Sequence, residues 1–428
     1  MSAPSTILKT AAAAFLAAYF FPVVHHWLTV FGYLRSANIS HVEEGIIKIE
    51  DTVHCEDIHR YSDWLFTACE DSFPTRFSWF PPLVIFKDPV LGSQARGSIH
   101  VIDTKDFKSK RLVLENFESS FTTHGIDIIA DPEKNGAAVY IFAVNHVPHP
   151  EYVLSVKNRT PLPEGTPKAR SQIEVFHHAL GSSAAKWVRS IRHPLIKTPN
   201  DIFAHTPTSI YVTNDHHYTE GPLRHLEVLI PAARWSNTVR VQIDDWSSSD
   251  PQAGIDVSIA LTGLHNNNGL GHGPSHEDVV IGSAASGTLS LADITDTQQL
   301  EVKEQIHLDS IIDNPSYFKD EYATEENDAS GYVLGGLSKA GELAKNVQSE
   351  TAKDPVIVWL VQPVKEEGKA ATKWNKKIIF EDDGSRIRSS SAALLLGIDP
   401  ALEGGKKRAW LVVTGFLSSS AIALKVDL

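Results

Sequence analysis

"FTTHGIDIIADPEKNGAAVYIFAVNH", residues 121–146, places two apolar runs rich in Ile, Val and aromatic residues on either side of the turn formers Asp-Pro-Glu-Lys-Asn-Gly. Runs of this length and composition around such a break read as a hairpin of β-strands. A histidine sits near each end, His124 and His146. The same stretch therefore poses a chemical question: whether those two are partners or unrelated core residues.

Working outward, the pattern recurs through everything beyond residue 40, in "SIYVTNDHHY" (209–218), "VRVQIDDW" (239–246), "DVVIGSAASGTLSLADI" (278–294) and "RAWLVVTGFLSSSAIALKVDL" (408–428). Helical periodicity is scarce, so the fold class is all-β. A looser repetition lies over the strands: a polar pair, then a paired β segment ending in a turn. The pairs are Glu56-Asp57, His124-Gly125, Asn200-Asp201, Asn268-Gly269, Asp313-Asn314 and, more faintly, the serines of Ser389–Ser391. Separations of roughly 45 to 77 residues suit one four-stranded blade each, and predict a six-bladed β-propeller spanning 37–428. The Pro-rich "NRTPLPEGTPKARS" (158–171) and acidic "FKDEYATEENDASG" (318–331) read as surface loops.

Residues 7–34, "ILKTAAAAFLAAYFFPVVHHWLTVFGYL", carry no acidic residue and are basic only at Lys9 and, next in line, Arg35. That length of apolar chain can cross a bilayer. No Ala-x-Ala site follows it, which favours an uncleaved signal-anchor over residues 1–36; the alternative is an amphipathic helix packed on the body or lying on a lipid surface. Sequons at Asn38 and Asn158 agree with a secretory route, leading to a membrane-anchored or secreted protein. The formal charge of -13 argues against a nucleic-acid partner. Two cysteines, Cys55 and Cys69, exclude a multi-cysteine zinc site and are either one disulfide or two buried thiols.

In a propeller the innermost strands line one channel, so polar residues at matching positions converge. Glu56, Asn200, Asn268, Asp313 and Asn314 would then offer carboxylate and amide oxygens to one centre, a hard-cation set that suits calcium. Strand alternation turns Asp57 and Asp201 the other way, toward a second, deeper cation.

The stretches "HCEDIHRY" (54–61), "HGIDIIADPEKNGAAVYIFAVNH" (124–146), "IRHPLIKTPNDIFAHTPTSIYVTNDHHYTEGP" (191–222), "NNNGLG" (266–271), "LDSIIDNPSY" (308–317) and "FEDDGSRIRSSSAALL" (380–395) resemble, in order and spacing, the paraoxonase family of calcium-dependent arylesterases and lactonases. The resemblance implies a six-bladed propeller with two calcium ions. The catalytic one would be held by Glu56, Asn200, Asn268, Asp313 and Asn314, the structural one by Asp57, Asp201 and the backbone carbonyl of Ile126. It further implies that His124 and His146 form a dyad, His124 taking a proton from water and His146 orienting it, with Asp313 as an alternative nucleophile. Asp215 and His216 match the family's second channel-facing pair, although His217 could take the place of His216 after a one-residue slip.

Two departures stand out. Where family members with developed lactonase activity carry a pocket histidine, this chain reads "YVLGGLSKAG" (332–341), with Leu337, or Ser338 if the turn is one longer, in its place. The cysteine pair joining the two ends of the family's chain is absent, so ring closure must rest on strand pairing and packing. The expected function is hydrolysis of a small aryl ester or lactone. Two alternatives stand beside it: a calcium-stabilised propeller that binds lipid or protein, and a gluconolactonase-like hydrolase with a single metal.

Overall fold

The computed structural model describes residues 20–364 and 373–428, together with Lys9 and Ala18. Residues 1–8, 10–17 and 19 of the expected signal-anchor lie outside the described residues. Its described part is helical over 20–30 and docks on the body: Trp27 Nε1 donates to the Leu229 carbonyl at 2.8 Å, and Gly341 N donates to the Phe31 carbonyl at 3.0 Å. Among the described residues no helix is long and apolar enough to cross a membrane.

The chain is mostly β, in a propeller-like arrangement of antiparallel sheets met in sequence order. The first comprises Cys55–Tyr61, Trp64–Cys69, Ser98–Asp103 and Ser109–Arg111. The second comprises Thr123–Ala130, Ala138–Asn145, Gln172–Ala179 and Ala184–Ile191, with Val113–Glu115 added in parallel at its outer edge. Pro199–Thr206, Ser209–Asn214, Ser236–Ile243 and Ile255–Leu264 make the third, and Asn267–His272, Asp278–Ser283, Thr288–Ile294 and Leu300–His307 the fourth.

The remaining strands form one eight-stranded sheet. Ile311–Phe318, Gly331–Leu337, Val356–Val364 and Lys373–Asp382 pair among themselves, as do Ser390–Ile398, Arg408–Gly415, Ala421–Asp427 and Ile47–Ile49. The two groups join through one residue pair, Asn314 with Ala392. Ile47–Ile49 lies antiparallel on Ala421–Asp427, so the first described strand completes the sheet begun by the last three. Cys55 and Cys69 face each other across the first sheet as a disulfide, and the ends of the chain are held by strand pairing.

Turn chemistry explains the strand boundaries. In the quoted hairpin, the Asp131 side chain accepts from Glu133 N at 2.9 Å, while Asn135 and Gly136 take φ of 49° and 78°, a conformation the Asn-Gly pair adopts at little cost. Apolar residues on successive sheets interleave: Phe66, Ile99, Ile126 and Ile141 between the first and second, Phe142, Val175, Ile202 and Val239 between the second and third. The core is thus a series of layers between facing sheets.

At the centre, the inner strand of every group carries a one-residue bulge at its polar pair. Between Cys55 and Ile58 the inner strand advances three residues while its partner, Cys69 to Thr67, advances two. The same offset recurs at Pro199/Ile202, Asn267/Leu270, Ile312/Pro315, Ser390/Ala393 and, from Thr123 to Ile126, against Asn145/Ala143. A bulge breaks side-chain alternation, so both residues of a pair can serve the centre.

Inner strands also hold one another. Ile126 N donates to Asp57 Oδ2 at 3.2 Å, Ala204 N to Asp127 Oδ2 at 2.6 Å, Leu270 N to Asp201 Oδ2 at 2.6 Å, and Ser391 Oγ to the Glu56 carbonyl. The approach is too close for side chains at two positions: a Cβ on Gly125 would sit 2.6 Å from the Asp201 Cα, and one on Gly269 would sit 2.5 Å from the Asn314 Cα. Gly269→Ala is expected to destabilise the fold by about 2–3 kcal/mol, because backbone has to move to admit the methyl. Chemical denaturation midpoints against the parent chain measure it, and an unchanged midpoint would contradict this packing.

Candidate active site

The bulged pairs open onto a cavity of about 350 Å³ at the amino-terminal ends of the inner strands, with Glu56, His124, Asn200, Asn268 and Asp313 on its floor and sides. Asn314 lies beside them, its Nδ2 donating to Glu56 Oε1 at 3.0 Å. The remaining oxygens are unmet. Among the described residues, Glu56 Oε2, Asn200 Oδ1, Asn268 Oδ1, Asp313 Oδ1 and Asn314 Oδ1 are buried and accept no hydrogen bond. An orphaned buried acceptor costs on the order of 1–3 kcal/mol, and here all five come from one set of sequence-derived ligands. Burial, reinforced by Asp313 and Asp57, pushes the Glu56 carboxyl well above its usual range; burial together with Asp57 and Asp215 does the same to Asp313. A bound cation would relieve both.

The deeper residues differ. Asp57 Oδ1 accepts from Ile58 N at 2.8 Å, and its Oδ2 accepts from Ile126 N and lies 3.0 Å from His59 Nε2. Asp201 accepts from Ile202 N at 2.8 Å and from Leu270 N. Every carboxylate oxygen of this pair already has a partner.

The two histidines of the opening stretch meet. His146 Nε2 lies 3.2 Å from His124 Nδ1, and His146 Nδ1 lies 2.8 Å from Ser171 Oγ. Trp79 Nε1 donates to the His146 carbonyl at 2.6 Å, and the edge-on Phe80 ring sits 5.3 Å from the His124 ring. His124 Nε2 is 3.9 Å from Glu56 Oε1, at the boundary of the oxygen cluster. Burial pushes His124 down to about 3, and burial with the neighbouring His124 pushes His146 well below its ordinary value, so both rings are neutral at pH 7.

Asp215 and His216 line the same cavity, and His217 points to solvent, which resolves the one-residue ambiguity. Burial alone would raise the Asp215 carboxyl, but His216, at 3.0 Å, and Arg224, at 3.7 Å, hold it below the usual range. Leu337 is on the wall as expected, and Ser338 is behind it. Asn38 and Asn158 are exposed.

Several contributors had no signal in the sequence. Arg224 comes from the short helix Pro222–Leu229 and donates to the Tyr218 and Pro82 carbonyls. Ser171 closes the loop read as mere surface, and Phe31 enters the cavity from the chain's amino-terminal end. Arg76 stacks 4.0 Å over Phe80 from Phe73–Ser78. Pro at the first turn of the helices at 73 and 222, and the capping Ser72 before the first of them, mark them as helix starts.

An arylesterase family model matches residues 164–322, the part of the chain holding Asn200, Asp215, Asn268, Asp313 and Asn314. Serum paraoxonase/lactonase 3 of Oryctolagus cuniculus is 23% identical over 301 residues, 69% of this chain and 71% of that protein. Serum paraoxonase/arylesterase 2 of Rattus norvegicus is 24% identical over 224 residues, 51% of this chain and 53% of that protein, so this chain spans about half the length of the latter relative. Among solved structures, the PQQ-bound aldose sugar dehydrogenase of Streptomyces coelicolor aligns with a TM-score of 0.43 and 13% identity, covering 92% of this chain and 98% of that one.

The depressed histidines carry a pH signature. Unfolded histidine titrates near 6.5, so the unfolded chain takes up protons that folded His124 refuses until about pH 3; stability is full above 6.5 and falls as pH drops through that window. In protein stripped of divalent cations, His124→Gln should lose about 2 kcal/mol less than the parent between pH 7 and pH 5. Urea midpoints at the two pH values decide it: equal losses would mean the ring is not held neutral.

Proposed function

The chain belongs to the paraoxonase and arylesterase family, and from that premise we propose a calcium-dependent hydrolase of aryl esters or lactones on a six-bladed propeller. Dividing the eight-stranded sheet at its single Asn314–Ala392 pair into two four-stranded blades supports that blade count. The observation carrying the function is the convergence of five buried oxygens, unpartnered among the described residues, four on residues lining one cavity and the fifth on Asn314 beside them.

Those oxygens, on Glu56, Asn200, Asn268, Asp313 and Asn314, are all hard donors, the chemistry calcium takes. Calcium bound there would supply a Lewis acid for the substrate carbonyl. The chain's own residues do the rest. The cavity, with Phe80, Val84, Ile311, Leu337 and Phe416 on its walls, binds the apolar body of an ester and limits water. His124, neutral at pH 7 and within reach of the floor, accepts a proton from water as general base; His146, anchored by Ser171 and Trp79, fixes its orientation. Asp215, already paired with Arg224 and His216, keeps a fixed negative charge that favours the imidazolium formed at His124. Leu337 makes the wall apolar, which favours aryl or alkyl groups over polar ones at that side.

The two-calcium form is the family's expectation, with Asp57, Asp201 and the Ile126 carbonyl as the second ligand set. Burial beside Asp57 and Glu56 pushes the Asp201 carboxyl well above its usual range, which a second cation at that level would relieve; a single hard cation, in the gluconolactonase-like manner, is the alternative. For cellular placement we propose the secretory route, with Asn38 and Asn158 as accessible sequons and the amino-terminal helix against a lipid surface, where Phe20, Phe21 and Val24 are exposed.

The test is hydrolysis of phenyl acetate and a small lactone series by chelator-treated protein during calcium readdition. The rate should return with calcium, vanish in Asp313→Ala, and fall about 10²- to 10⁴-fold in His124→Gln. Calcium that raises the melting temperature while no substrate is turned over would leave a metal-stabilised binding module in its place.

A further inference from the structure

Farther along the inner strands lies a second set of donors of another chemical kind. His59, Asp127 and His272 follow Glu56, His124 and Asn268 by three or four residues, which at strand rise is about 10 Å deeper, toward the end of the channel away from the cavity. They come from three separate strands, Cys55–Tyr61, Thr123–Ala130 and Asn267–His272, and each offers a ligand atom within 4.8 Å of the other two. Asp127 is buried, His59 nearly so, and His272 has 40% of its side chain exposed.

We propose that His59, Asp127 and His272 form a binding site for a divalent transition metal, zinc in the first instance, separate from the hard-oxygen floor of the cavity. Two imidazoles with one carboxylate make a set zinc prefers, and the two imidazole nitrogens set it apart from the all-oxygen surroundings calcium takes. Tetrahedral zinc with bonds of about 2.0–2.1 Å holds neighbouring ligand atoms about 3.3 Å apart. His59 Nδ1 stands 3.3 Å from Asp127 Oδ1, and His272 Nε2 stands 2.8 Å from Asp127 Oδ2, so small movements seat an ion between them.

The supporting contacts are those of a built site. His59 turns its other nitrogen, Nε2, to Asp57 Oδ2 at 3.0 Å, a carboxylate behind the imidazole that fixes its tautomer and raises its basicity. Asp57 is itself held by Ile58 N and Ile126 N, and Asp127 by Ile128 N at 2.7 Å and Ala204 N at 2.6 Å, so neither carboxylate is free to turn away. The exposed side of His272 supplies the route in and leaves the fourth coordination position to solvent. Asp57 then acts on this site through His59.

The site stands or falls independently of ester hydrolysis. Full-length protein would be stripped with a chelator, exposed to zinc in the presence of excess calcium, and its bound zinc counted after gel filtration; cobalt(II) would report geometry by visible absorption. One zinc per chain, a tetrahedral cobalt spectrum, and at least about 100-fold weaker zinc binding in His272→Ala are expected. His276→Ala, in the neighbouring trio of buried His205 with exposed His276 and Glu277, should bind as the parent does. His272 is half exposed, so its variant should fold, which melting curves check. Retention of no zinc, or retention undiminished by His272→Ala, would overturn the proposal and leave the trio as an ion-pair network.

Discussion

Inner strands from around the ring converge on a line too narrow for ordinary β alternation, and the one-residue bulge on each is the constraint from which the rest of the molecule follows. A regular strand would send one residue of each polar pair between the sheets, into layers filled by Ile, Val and Phe. The bulge holds both at the centre. Its steric corollary is glycine at 125 and 269, where neighbouring strands leave no room for a Cβ against Asp201 and Asn314. Backbone thus approaches backbone closely enough for N–H groups of one strand to reach carboxylates of the next.

Those N–H groups divide the central carboxylates into two kinds. Asp57, Asp127 and Asp201 take backbone donors from neighbouring strands and so act as struts between sheets. Glu56 and Asp313, nearer the cavity, lie beyond the reach of such donors and keep unmet oxygens beside those of Asn200, Asn268 and Asn314. Burial raises the Glu56 and Asp313 carboxyls, whereas Asp215, with Arg224 and His216 at hand, is held low. Stability and chemistry are therefore drawn from one ring of polar pairs, separated by a few residues of depth.

The cavity's walls come from elsewhere. Helix Pro222–Leu229, the loop ending at Ser171, the turn around Phe80 and Phe31 from the amino-terminal end all arrive over the mouth of the channel. These pieces lack a repeat and vary in form. They shape the cavity without altering its floor.

Much of this was legible in the chain alone. Turn residues such as Asn135 and Gly136, β-branched runs and the recurring polar pairs determined strands, hairpins and which oxygen-bearing side chains stand at the inner strands, because local backbone preference and side-chain chemistry are written in residue type; the meeting of His124 and His146 was legible only through a resemblance. The Cys55–Cys69 bond, the choice of His216 over His217 and the roles of Ser171, Arg224 and Phe31 needed the folded chain, since each depends on which face a strand or loop presents to a partner far away in sequence. The bulges belong to the same group: no residue type announces them, and only the packing of neighbouring inner strands decides that Glu56 is left short of donors while Asp57, one residue on, is not.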